Sequence, residues 1–221
     1  MRFNVGQKIP FVTIQFERAN GVKEMTGFSG LYQPWDHKLI NIHVVMLECK
    51  EHHKVPNYWD NSTPPKLDCD GFIFTDDEGT RWLNQYPRAS YGQTTDTADR
   101  VVSREFPEGT DYKAVLNSDT VCEMELGLHR LGQIHHGIFE LEKSRLDVIH
   151  HPNKYSKTAE EIAAMIIQLQ EFSKQVQEAI EKVAGQKIVI DKLTYGPTKK
   201  WLEGHYHPRF KSEDQAESHL A

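Results

Sequence analysis

Asp36, Glu48 and Lys50 come nearest in this chain to a catalytic set. Glu48-Cys49-Lys50 closes a segment rich in Ile and Val, Leu39–Cys49, that reads as a strand. Residues two apart on a strand share a face, so Glu48 and Lys50 point the same way. With Asp36, the Glu48 carboxylate would hold Mg²⁺, and Lys50 would position water or stabilise developing charge.

That order of residues resembles the metal-dependent nucleases of the PD-(D/E)xK type, in which an Asp precedes a strand ending in Glu-x-Lys. The resemblance implies Mg²⁺-dependent cleavage of nucleic acid by Asp36, Glu48 and Lys50. The chain departs from that pattern where Trp35 separates Pro34 from Asp36, and the segment after Lys50 lacks a helical pattern. The competing reading is a solvated, charged strand end.

Histidines offer two further groupings. Glu125, His129, Gln133, His136 and Glu140 fall on one arc of a predicted helix, opposite its apolar stripe. Metal sites in helix bundles project inward, so this arc reads as a solvated face with i,i+4 pairs. Cys49, His52, His53 and Cys69 have ligand types suited to zinc, but Cys69 lacks a second Cys or His at short range. His205 and His207 form an unspecific pair. No metal site is expected outside the nuclease alternative. There is no GxSxG, P-loop or GxGxxG; Gly27-Phe28-Ser29-Gly30 brings its second Gly one residue early.

A binding surface is the other chemistry on offer. Tyr32, Trp35, Tyr58, Trp59, Trp82 and Tyr86 fall in or beside predicted β-region loops, with Tyr91 nearby. Aromatics so placed can line a groove for a peptide, a base or a cation.

The elements that must position these residues are of two kinds. Phe11–Arg18 alternates apolar and polar, and Asn20-Gly21 follows as a hairpin turn into a return strand from Val22 to Tyr32, where Gly27 and Gly30 suggest a bend. Leu39–Cys49, apolar on both faces, is expected to be central. Gly71–Thr75 and Thr80–Tyr86 flank a second turn at Asp76-Asp77-Glu78-Gly79, and Arg100–Phe106 is a final strand. Residues 1–9 are expected to be a loose entry.

Asn117–Gly185 reads as two antiparallel helices. Thr120 with Glu123 and Thr158 with Glu161 fit capping boxes, Pro152 stops the first helix near His150, and Gly185 stops the second. The second stripe, Ile162, Ile166, Leu169, Ser173, Val176, Ile180 and Val183, steps by four and three with one polar break at Ser173. Gly127, Gly132 and Gly137 weaken the first helix by about 1 kcal/mol each relative to Ala. Lys187–Asp191 is a strand expected to return to the sheet, and the chain from Gly196 on is irregular.

The fold expected is therefore α+β: a small antiparallel barrel or bent sheet, SH3-like or Tudor-like in architecture, then a helical hairpin, a short strand and a tail. The parts are a β-rich domain at 1–109, the hairpin plus return strand at 110–195, and the tail at 196–221. At 221 residues, with 26% charged and 38% hydrophobic, the chain can bury a sizeable core. The net charge of −6 is shared evenly by the two halves, which argues against a nonspecific nucleic-acid binder. Three cysteines without a CxxC, and an N-terminus without an apolar signal core, suggest a cytosolic setting. No apolar run is long enough to span a bilayer.

The leading expectation is a non-enzymatic binding or assembly protein with a protein partner. A homo-oligomer is plausible, because the 4-3 seam of the second helix could serve a partner chain. Metal-dependent nuclease and nucleic-acid-binding accessory protein are the alternatives.

Overall fold

The structure is a computed structural model, and it describes residues 3–26, 32–56, 68–86, 100–103, 122–192 and 206–211. The architecture is α+β, with a curled antiparallel sheet, two helices and a short C-terminal strand pair. The strands are β1 (Lys8–Arg18), β2 (Lys23–Thr26), β3 (His37–Pro56), β4 (Asp68–Thr75), β5 (Arg81–Tyr86), β6 (Arg100–Ser103) and β7 (Cys122–Leu126). Helices α1 (Gly127–His150) and α2 (Ala159–Ala184) follow, then β8 (Ile188–Lys192) and β9 (Tyr206–Phe210).

The sheet order is β2-β1-β3-β4-β5-β6-β7, and β7 also pairs with β1 through Phe11–Leu126 and Val12–Glu125. The curl therefore closes on itself. The chain divides into two compact units, each built from two stretches of sequence: Met1–Thr13 with Val44–Leu126, and Ile14–His43 with Gly127–Ala221. Strands β1 and β3 pass from one unit to the other.

The first unit holds a core of Phe3, Ile9, Phe11, Leu47, Cys49, Phe72, Phe74, Trp82 and Met124. Phe3 meets Phe72 and Phe74 edge-on, at ring separations of 5.1 and 5.2 Å. Residues 3–9 are thus not a loose entry: burying one large ring outweighs the cost of ordering the few residues before β1. The β4–β5 turn forms as its residues dictate, with Asp76 Oδ1 accepting from Thr80 N–H at 2.8 Å and Glu78 N–H at 3.1 Å.

In the second unit α2 begins and ends as its sequence signals it. Thr158 and Glu161 form the capping box, and Gly185 takes the left-handed conformation at φ 67°. Helix α1 also ends at His150, but it starts at Gly127. The expected capping box at Thr120 and Glu123 is not made, since Glu123 lies in β7 and pairs with Val102; Thr120 lies outside the described residues. Cys122-Glu123-Met124-Glu125-Leu126 alternates apolar and acidic, which is the two-residue period of a strand, and Met124 enters the core of the first unit.

Two other expectations change. Among the described residues, strand β8 pairs not with the large sheet but with β9, from Ile188–Phe210 to Lys192–Tyr206. The sequence of β9, Tyr-His-Pro-Arg-Phe, hides a strand because Pro208 cannot donate to a ladder, and it is tolerated here in a two-stranded sheet. Strand β3 is central as expected, between β1 and β4, but its N-terminal half is less buried than its apolar faces suggest. From His37 to Met46 every residue is half-buried or exposed, and Ile40 keeps 47% of its surface.

Candidate functional site

Glu48 and Lys50 do meet: the ammonium lies 2.6 Å from the carboxylate, with both side chains partly solvated. The register of β3 against β4 shifts between Cys49 and Glu51, so Lys50 is the extra residue of a bulge beside Glu48. The hydrogen bond from Lys50 holds Glu48 below the ordinary carboxylate value. The Glu48 charge is thus matched by its own neighbour. Asp36 lies in the turn before β3, in the second unit, where its N–H donates to Gln33 C=O at 3.0 Å. Among the described residues, no three His, Cys, Asp or Glu side chains group so as to hold a metal ion.

The cysteine and histidine candidates have structural roles where they are described. Cys49 is fully buried, and burial pushes its thiol up. His52 stacks on Phe72 at 4.6 Å. The side chains of His53 and Cys69 lie outside the described residues. On α1, His129 Nε2 and Gln133 Nε2 are 2.6 Å apart, His136 is half-buried, and Glu140 is exposed and binds Lys143. Glu125 belongs to β7, so the expected arc starts one member short.

Of the binding aromatics, Tyr32 and Trp82 are interior residues, 8% and 7% exposed. Tyr32 packs on Phe172 at 4.5 Å and Phe16 at 5.6 Å, and burial raises its hydroxyl pKa. Trp82 is tied by Nε1 to Asp76 Oδ2 at 3.3 Å. An amphipathic ring next to a turn serves a core as readily as a surface, and sequence alone does not separate the two. Trp35 is half-buried. Tyr58 and Trp59, and the side chain of Tyr86, lie outside the described residues.

Two arrangements were not singled out in the sequence. The first is the polar pair at the helix seam, His135 and Ser173, 2.9 Å apart, with the Tyr206 ring 5.3 Å from the imidazole. The signal was the polar break at Ser173, which asks for a buried polar mate. The second is an open backbone edge on β3. Toward β1, Cys49 N–H donates to Gln7 C=O at 2.9 Å, and Cys49 C=O accepts from Gly6 N–H at 2.7 Å. Backbone groups alternate between edges along an antiparallel strand. Cys49 therefore faces β1, and its neighbour Glu48 faces the other edge, where it pairs with Thr75 of β4.

The β3–β4 register begins only at Glu48. Before it, over residues 37–47, β3 has no strand on its β4 side among the described residues. A row of unpaired backbone donors and acceptors beside apolar side chains can accept one more strand. Among the described residues no helix is long and apolar enough to cross a membrane. The chain matches no family model, no curated protein and no solved structure.

Proposed function

We propose that this chain is a non-enzymatic binding or assembly protein that takes a macromolecular partner, foremost a protein, by strand addition at the edge of β3. The observation that carries this reading is the stretch of β3 before Glu48, residues 37–47, which has no strand on its β4 side among the described residues, with Ile40 47% exposed. Such an edge is a liability when left bare, and a recognition device when a partner covers it. The helical pair supplies a second apolar surface, where Leu146 and Ile149 stand one turn apart on α1, 54% and 56% exposed.

Ile40→Lys tests the reading. A lysine at this exposed position of the edge blunts strand addition. Far-UV circular dichroism should be unchanged, and partners retained by the immobilised wild-type chain should be lost by the variant. Equal retention by both, with the fold intact, would overturn strand addition as the mode of binding.

A further inference from the structure

We infer that His135 is an acid-sensitive latch, whose protonation frees the β8–β9 strand pair from α1 while the two helices stay together. The inference stands on contacts within the second compact unit and is independent of the β3 edge.

His135 of α1 is met by two other elements. From α2, Ser173 Oγ comes within 2.9 Å of its Nε2. From β9, the Tyr206 ring lies 5.3 Å away, tilted by 44°. Among the described residues no carboxylate pairs with the imidazole. Beside Ser173, Lys174 is exposed and lies 4.0 Å from Glu178. Beside Tyr206, His207 is exposed and stands opposite Asp191, which holds Arg209 at 2.7 Å. On α1, His136 is half-buried, and the Glu142 charge adds to burial in raising the Tyr206 hydroxyl pKa. A proton added to His135 is therefore a charge held between a hydroxyl and a ring, with no counterion. The Tyr206 ring offsets part of that charge. Burial prevails, and holds the imidazole below its ordinary pKa.

The strand pair is the element that yields. Two strands alone are marginally stable at best, and β8 and β9 bury only Ile188 and Pro208. Helix α2, in contrast, buries a residue in every turn from Ile162 to Ile180. On α1 the strand pair rests the Tyr206 carbonyl and Pro208 against Gly132, and sets the Lys192 ammonium 4.8 Å above the Phe139 ring. Lifting it costs less than parting the helices. The closed state binds the proton less readily than the open one, so opening grows as pH falls below about 6.5. At the Ile188 end of the ladder, the Glu181 carboxylate accepts from Ile188 N–H at 2.9 Å. That carboxyl is held below its usual pKa and stays ionised in mild acid, which leaves the response between pH 7.5 and 5.5 to His135.

Residue-resolved amide exchange of the full chain over that range, expressed as protection relative to an unstructured peptide at each pH, tests the latch. The β8 and β9 amides that are protected at pH 7.5 should lose protection several-fold by pH 5.5. The limit is about tenfold, because pH 5.5 lies one unit below an open-state pKa of about 6.5. Amides of α2 from Leu169 to Ile180 should lose none. His135→Gln, which keeps a neutral hydrogen-bonding group beside Ser173, should flatten the response, and His207→Gln should leave it unchanged. The imidazole resonance of His135 in the wild type, whose reading needs no variant, should titrate below pH 6.5. Constant protection of β8 and β9, an equal loss in α2, an undiminished response in His135→Gln, or titration of His135 at or above pH 6.5 would each overturn the latch.

Discussion

Ser173 Oγ lies 2.9 Å from His135 Nε2, joining the second helix to the first through a polar contact in an otherwise apolar seam. Ser173 is buried, flanked on α2 by buried Leu169, Phe172 and Val176. Neither group of the pair is easily satisfied alone once the helices close over it. Ser173→Ala should therefore cost about 1–3 kcal/mol in chemical denaturation, by stranding the imidazole nitrogen. Combined with His135→Leu, the loss should be much less than the sum of the two single losses, as a double-mutant cycle would measure.

The same histidine predicts a pH response. Burial lowers its pKa below the ordinary imidazole value. The unfolded chain then binds the proton more readily than the folded one, so the His135 contribution is fully present above about pH 6.5 and shrinks as pH falls toward the folded value. Denaturation midpoints between pH 7.5 and 5 should drop in the wild type and drop less in His135→Leu.

Two helix glycines should respond oppositely to alanine. A Cβ on Gly132 would sit 3.1 Å from the Tyr206 carbonyl oxygen and 3.2 Å from Pro208 Cδ, both rigid parts of β9. On Gly137 it would meet only Leu169 Cδ2, at 3.4 Å. Gly137→Ala should gain up to about 1 kcal/mol from helix propensity. Gly132→Ala should lose a comparable amount despite the same propensity gain, since overpacking costs about 1–3 kcal/mol. Thermal unfolding of the two variants decides this.

Glu181 fastens the end of α2 to β8. Its carboxylate, in a side chain 9% exposed, accepts from Ile188 N–H and Gln177 Nε2 at 2.9 Å each, and from Lys187 Nζ at 2.6 Å. Burial pushes its pKa up, but those three donors outweigh it and hold the group below the usual carboxylate value. Its stabilisation is present above the unfolded value and is lost as pH falls through the folded one. Glu181→Gln should cost about 1.5–3 kcal/mol at neutral pH, whereas Lys187→Met, at an exposed ammonium, should cost clearly less. A larger loss for the lysine would reverse this assignment.

Labelled DNA and RNA, single- and double-stranded, should stay intact with the protein in Mg²⁺ or Mn²⁺. Glu48→Gln should leave the denaturation midpoint nearly unchanged, as expected for a solvated pair. Divalent-dependent cutting that disappears in Glu48→Gln would replace the binding reading with the nuclease one.

Much of this fold could be read from local chemistry. The α2 caps, the Asn20-Gly21 hairpin and the Asp76–Gly79 turn are each set by a few adjacent residues, and each forms. What could not be read depends on partners distant in sequence. Cys122–Leu126 carries both a helical stripe and a strand alternation, and pairing with β6 and β1 selects the strand. Strand β9 looks irregular until β8 pairs with it. The burial of Tyr32 and Trp82 follows from rings on other elements. The open edge of β3 is invisible in sequence, because it is set by where β4 stops.

The β1–β7 pairing ties Phe11 to Leu126, so the first unit cannot close until residue 126 has been made. At about 5–20 residues per second of synthesis, the newborn N-terminal strand waits on the order of ten seconds for its neighbour. During that interval Phe11, Ile9 and Phe3 have no finished core to enter. The chain thus spends its early life exposing three of its most apolar residues, and a chaperone that holds extended apolar segments is the companion it would most need on the ribosome.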